Sequence, residues 1–541
     1  MTRHKFDYII VGAGSAGCVL AERLAHAKER VLLIEAGRWD RDPWIHIPLG
    51  FGRIRQKRLH DWGYFSEPQQ GLDARVIDIR RGKVIGGSSS INAMVHVRGH
   101  PSDFDRWASS GLKGWSWEEV LPSFIEQERW EGPASPLRGT SGPLHVRESR
   151  YHDPLTEAVI EAATSNGHPW VEDYNAKDQH GVGTLQFTIR NGRRCSAATA
   201  FLRPALSTGH LTVHTGGLVT SLLFDGDYVS GVAYRHQGQA LEVRADKEVL
   251  LCAGVINSPQ ILMLSGIGDP SELEQHGIAV QHSLPGVGKN LQDHPMVPLT
   301  FDRLGVGSMR HHMRADRIAR DLLRAITVGR GFATDIPSPL AAFLKTDPAL
   351  NAPDIQVMLH GAPVSALPYL WPWRQAWPDG FSMLVTLLRP RSRGQVALSS
   401  ADPQAPMRIQ PEMLTDSQDR RTLLYGFEHV RAIAAASAMR PFIRGSVGLS
   451  ETERSPEALD TYLRSRAGTV HHPAGTCKMG VHTDPLAVVD CELRAMGLRG
   501  LRIVDASVMP DLIGGNINAA VMMIAWRAAQ HILSSKPPTG S

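Results

Sequence analysis

Residues 6–25 read "FDYIIVGAGSAGCVLAERLA". An apolar run closes at Val11, glycines follow at Gly12, Gly14 and Gly17, and an alanine- and leucine-rich stretch opens near Ser15. The order predicts a buried strand over Tyr8 to Val11, a glycine turn and an amphipathic helix. The G-x-G-x-x-G spacing gives each glycine a task. Gly12 permits the tight turn, Gly14 lets a pyrophosphate approach the backbone, and Gly17 lets helix and strand pack closely. The phosphate then sits at a helix N-terminus, where free N–H groups and the dipole favour negative charge. A second strand-like run, "RVLLIEAG" (30–37), carries Glu35 and Ala36. An acidic residue there accepts a ribose 2′-hydroxyl and repels a 2′-phosphate, which disfavours NADP. The stretch announces a dinucleotide site, with NAD and FAD both open at this point.

The totals set the frame. At 541 residues the chain exceeds one ordinary core, so two domains are expected. With 42% hydrophobic and 21% charged residues, 51 glycines and 35 prolines, it reads as a loop-rich α/β enzyme rather than a helical bundle. The net charge is only +4 and basic residues are scattered singly, which speaks against nucleic acid as a partner. Five dispersed cysteines (Cys18, Cys195, Cys252, Cys477 and Cys491) read as reduced thiols in a cytoplasm. The first apolar run already looks structural, so no signal segment is expected, and no run of 18 apolar residues predicts a membrane span. No metal site is expected either: His471 and His472 have only Cys477 for company at ligand spacing.

A second glycine segment, "RRGKVIGGSSSINAMVHVRGHPSDFDRW" (80–107), is too rich in small residues for a core helix and too long for a turn. It can lay many backbone N–H groups against a flat ligand. With "AGVINSPQILMLSGIG" (253–268), "LPGVGKNLQDH" (284–294), "HHPAGTCKMG" (471–480) and "LRIVDASVMPDLIGGNINAAVMMIAWRAA" (501–529), it resembles the glucose–methanol–choline (GMC) oxidoreductases. These are FAD enzymes that oxidise alcohols, and the resemblance runs nearly end to end. "EAGRWDRDPWIHIPLGF", "GHPSDFDRWA" and "RNGRRCSAATAFLRPAL" look most like the bacterial branch with sorbose, choline and polyethylene-glycol dehydrogenases.

The resemblance implies that Gly12, Gly14, Ser15, Glu35 and Ala36 hold the ADP half of FAD. It sets Val84, Gly87, Asn92, Ala93, Met94 and Val95 along the pyrophosphate and flavin. Val219 would meet the adenine, and Asp505 and Ala506 would close the site from the far end of the chain. Ile91 stands where members with covalent flavin can carry a histidine, so FAD is expected to be non-covalent.

Alcohol oxidation removes a proton from oxygen and a hydride from carbon; a neutral imidazole near its pKa of about 6.5 suits the proton. The resemblance gives that role to His472 and makes Asn516, 44 residues on, its partner. Asn516 orients the substrate oxygen but takes no proton. His471 is expected to point inward or to solvent, with substrate contact as the lesser alternative, and Cys477 and Met479 to pack. The last helix, apolar on most faces, starts at Asn516 or Asn518; its N-terminus would stabilise charge on the reduced flavin, with Asn518 at the flavin edge.

The expected architecture is a Rossmann-type α/β FAD domain from 1–150, 210–300 and 460–535, with an α+β substrate domain from 150–210 and 300–460. His360, in "PDIQVMLHGAPVS" (353–365), is a candidate for the substrate side, and an ordinary strand-end histidine is the plain alternative. "PYLWPWRQAWPDGF" (368–381) concentrates five aromatic residues between prolines. It reads as an access lid or core packing first, then an oligomer contact or a peripheral membrane contact. The expected substrate is a small alcohol and the acceptor a quinone or dye. An oxidase using O2, with Val470 beside the flavin, and a lyase or decarboxylase on the same fold are the alternatives.

Overall fold

The computed structural model describes residues 6–363, 366–447 and 455–534. Two seven-stranded sheets carry it. The first is parallel at its centre, in the order Leu211–Thr215, Val31–Glu35, Phe6–Val11 and Gln239–Leu251, with Leu501–Ile503 paired to the last of these. Such strands are covered on both faces, which is why Val31–Glu35 is buried at every position. Gln239–Leu251 serves two partnerships. Its first half runs antiparallel to Tyr228–His236 in a three-stranded meander completed by Gly217–Asp225, and its second half joins the parallel core. The helices Ser15–His26 and Asn518–Ser534 lie side by side on this sheet, with Ala519 to Ala529 almost wholly buried. The last helix therefore starts at Asn518.

The second sheet is antiparallel, in the order Ile443–Val447, Pro295–Arg303, Gly380–Leu387, Ile355–His360, Leu340–Leu344 and Gly181–Thr184. Gly468–Thr469, just before the histidine pair, is stitched to the start of Pro295–Arg303. That strand pairs throughout with the second sheet, so the sheet begins before position 300. Alternation along it is strict. Val297, Leu299 and Phe301 pack under the helices Ser417–Ala435 and Pro456–Arg466, with Pro154–Ser165 beside the first of these. Met296, Pro298 and Thr300 face a cavity between the two sheets. The helix Ser417–Ala435 buries Leu423, Phe427, Val430 and Ile433, the spacing its sequence predicts.

Candidate active site

The three glycines of the first turn differ in what surrounds them. Gly12 has φ +98°, and a Cβ there would lie 2.5 Å from the Cys252 carbonyl oxygen. At Gly17 a Cβ would fall 1.9 Å from the Gly12 oxygen, so the helix can approach the strand only without one. At Gly14 a Cβ would meet nothing within 4 Å, and the residue borders the cavity. That space is left free by the fold itself. Ser15 and Asn518, first residues of their helices, are joined by a Ser15 Oγ to Asn518 Oδ1 hydrogen bond of 2.7 Å. Two helix N-termini thus meet the same cavity wall, a natural seat for a pyrophosphate.

Glu35 is 6% exposed and accepts from Ala13 N at 2.9 Å and Gly37 N at 2.7 Å. Burial pushes its carboxyl up to about 7 against those two bonds. Asp505 accepts from Gly254 N (2.9 Å), Ser258 Oγ (2.6 Å) and Ser507 N (2.8 Å), pinning the returning C-terminal segment to the sheet. The loop around Asn92 is held from beneath by Arg194. Its Nη1 donates to Asn92 O at 2.6 Å and Asn92 Oδ1 at 2.8 Å, and its Nε to Ile45 O at 2.7 Å. Arg194 is 1% exposed, and burial pulls it down to about 9.

Gly12, Gly14, Ser15, Glu35, Ala36, Gly87, Asn92, Ala93, Met94, Val95, Val219, Asp505, Ala506 and Asn518 all line one continuous cavity. Gly17 does not, since it is spent on packing. Val84, expected along the ligand, turns instead into a small apolar cluster with Ile45, Ile54 and Ile91. Ile54 and Ile91 stand between it and the cavity, so Val84 is buried behind them. Ile91 lines the cavity and offers no nucleophile.

The same cavity runs on to His360, His471, His472 and Asn516. There the hydrogen bonds form a directed chain. His294 Nε2 lies 3.0 Å from the Leu388 carbonyl, which can only accept, so neutral His294 carries its proton on Nε2. Its Nδ1 is then an acceptor, and it sits 3.0 Å from His472 Nδ1, which must donate. His472 Nε2 is left with a lone pair. Asn516 Nδ2 is 3.1 Å from that nitrogen, while Asn516 Oδ1 accepts from Gln356 Nε2 at 3.3 Å. Asp293 fixes the backbone of both histidines, Oδ1 accepting from His294 N at 2.8 Å and His472 N at 2.9 Å. Burial pushes the Asp293 carboxyl up to about 6. Burial, with His294, Arg81 and His471 nearby, holds His472 well below the usual imidazole range.

This arrangement can take a proton from a ligand hydroxyl at Nε2 and keep the ring neutral until it does. Replacing His294 by phenylalanine removes the acceptor that fixes the tautomer and one neighbour that depresses His472. The expected result is retained FAD, a kcat/KM lower by about tenfold, the worth of one hydrogen bond, and an acid limb displaced to higher pH. A pH profile of kcat/KM checks it, and an unmoved limb would remove His294 from the chain.

His471 does not turn away. With φ +64° it lines the cavity, and its Nδ1 accepts from Arg80 N at 3.4 Å. His360 lines it too, and burial with Arg55 nearby lowers it to about 4. Cys477 and Met479 are buried in the core. The aromatic stretch divides: Phe381 is fully buried, whereas Trp371 and Trp373 are 75% and 82% exposed. His294 and Gln356 are the residues that sequence reasoning missed. Gln356, Met358 and His360 alternate along one strand, and that period of two marks Gln356 as a companion of His360.

Profiles of the GMC oxidoreductase family match residues 6–296 and 390–525. Among curated proteins the chain is 39% identical to "Choline dehydrogenase, mitochondrial" of Homo sapiens, covering 99% of this chain and 91% of that protein. It is 37% identical to "Alcohol dehydrogenase [acceptor]" of Pseudomonas putida, covering 98% and 96%. Among solved structures, pyridoxine 4-oxidase from "Mesorbium loti" superposes with a TM-score of 0.88 at 34% identity, covering 98% of this chain and all of that one.

Proposed function

The chain belongs to the GMC oxidoreductases and is an FAD-dependent alcohol oxidoreductase, and we propose that His472 Nε2 takes the hydroxyl proton while Asn516 orients the oxygen. The observation that carries this reading is the chain Leu388–His294–His472–Asn516, which makes His472 Nε2 an acceptor at the cavity wall with the Asn516 amide donating to it. FAD suits the rest of the cavity: Gly14 leaves room for a ligand, two helix N-termini face it, and Glu35 offers its carboxyl at one end. When bound, FAD supplies a two-electron acceptor for the hydride of the alcohol carbon. The protein's part is the proton and the geometry. A neutral His472 accepts the proton, and Nδ1–H to His294 keeps the ring in place. Arg81 and His471 oppose a lasting imidazolium, so the proton passes on readily. We take FAD to be non-covalent, since Ile91 gives it nothing to bond to. No helix among the described residues is long and apolar enough to cross a membrane.

The test is direct. Anaerobic addition of candidate alcohols to the yellow holoenzyme should bleach its visible band, and acid precipitation should leave all flavin in the supernatant. A band that no alcohol bleaches refutes alcohol oxidation; flavin retained in the pellet refutes non-covalent binding.

A further inference from the structure

Beyond His472 and Asn516 the cavity has a charge character of its own. Four arginines line it on the side of the histidine pair: Arg55, Arg58, Arg80 and Arg81. The acidic residues that act on them are Asp61, Asp78 and, beside Arg81, Asp293. Asp61 accepts from Arg58 Nε at 2.8 Å and Arg81 N at 3.0 Å. Asp78 pairs with Arg58 at 2.9 Å and Arg80 at 2.6 Å. Arg81 donates to the carbonyls of Arg80 and His471. Arg55 is left over. Among the described residues its guanidinium makes no hydrogen bond or ion pair within bonding distance; it is half-buried at the cavity wall, with Asp78 as its opposing charge.

The other carboxylates of the cavity wall, Glu35 and Asp505, lie at the cofactor end and are engaged by backbone N–H groups. The remaining wall of the substrate side is neutral: Met296, Thr300, Met358, Ser382 and Leu384. Burial disfavours the charge on Arg55, and a ligand anion offsets that with paired, charge-assisted hydrogen bonds.

Arg55 is not a cofactor phosphate ligand by position. The phosphate seat is at Gly14, Ser15 and Asn518, whereas the neighbours that feel Arg55 are His360 on the second sheet and His471 beside the base. We propose that the alcohol substrate carries an anionic group, a carboxylate or phosphate, that docks on Arg55 between His360 and His471. The inference rests on the reading of this cavity as an alcohol site.

The experiment uses holoenzyme and matched alcohols: 4-(hydroxymethyl)benzoate, its methyl ester, and 4-(hydroxymethyl)phenyl phosphate. Anaerobic flavin reduction should favour an anionic alcohol over the neutral ester by about 10–100-fold, the range of a charge-assisted pair. Whichever anion reacts faster identifies the group. Arg55→Gln should cut that preference about tenfold or more, and Arg55→Lys should restore part of it. A second reading needs no turnover. Acetate, benzoate and inorganic phosphate, titrated into oxidised holoenzyme, should perturb the flavin spectrum saturably for at least one anion. Arg55→Gln should weaken that binding at least tenfold. A preference for the neutral ester, an unchanged ratio in Arg55→Gln, or no anion response overturns the proposal. Loss of FAD from Arg55→Gln does so too, because the guanidinium then serves the cofactor. If no alcohol bleaches the flavin, alcohol oxidation falls while the anion titration still decides this point.

Discussion

His472→Ala should leave FAD bound and slow anaerobic flavin reduction by about 10²–10⁴-fold, the usual worth of a positioned base. The prediction is sharp because the hydrogen-bond chain makes Nε2 the one accepting nitrogen of the ring, at the cavity wall beside Asn516. Asn516→Ala should fall between this and the wild type. It removes the donor at 3.1 Å from Nε2 and strands Gln356, but the base remains. His471→Ala should affect the chemical step far less, since its Nδ1 is turned to the Arg80 backbone. If His471→Ala proves the more damaging change with flavin content unaltered, the two histidines hold the reverse roles.

The pH dependence carries a sign of its own. A base works in its neutral form, and His472 is held well below the usual imidazole range by burial and its cationic neighbours. Burial is the main cause and Arg81 the fixed cation beside it, so the rate should be level from neutral pH upward and decline only as pH falls through that lowered value. A rise centred on the ordinary imidazole pKa of about 6.5 would mean that the ring is more hydrated than its burial implies.

How much of this could be read from the chain differs from element to element. Gly12 and Gly17 were legible because each answers a local steric demand, and local demands leave spacing patterns. The helix Ser417–Ala435 was legible for the same reason, through period. Val84 shows the limit. A place in a motif says that the backbone runs past a ligand, whereas the side chain goes where apolar neighbours are, here Ile45, Ile54 and Ile91. His294 and Gln356 were out of reach for another reason. They meet His472 and Asn516 across 178 and 160 residues of sequence, and such contacts exist only once Pro295–Arg303 and Ile355–His360 pair into the second sheet. Arg55 was hidden in an ordinary basic stretch. What singles it out is that Asp61 and Asp78 are already taken by its neighbours, and sequence alone does not count partners.

The glycine turn allows folding and cofactor binding to be separated. Gly14→Val should fold normally, because the backbone there is extended (φ −75°, ψ −165°), valine adopts it readily, and a Cβ meets nothing within 4 Å. The space it fills is the space a pyrophosphate needs. Its affinity for FAD should drop about 10–100-fold, the equivalent of the ~1–3 kcal/mol that overfilling a packed site costs. Gly17→Ala should do the opposite. Its Cβ would lie 1.9 Å from the Gly12 oxygen, so the first helix must lift from the sheet whether or not ligand is present. Thermal unfolding of the two apoproteins, read beside their flavin-to-protein absorbance ratios, distinguishes the cases. Gly14→Val should unfold with the wild-type apoprotein yet be isolated nearly colourless, and Gly17→Ala should unfold several degrees earlier. A yellow Gly14→Val protein with undiminished FAD affinity would move the pyrophosphate away from this turn, and with it the assignment of every residue placed along the cofactor from that end.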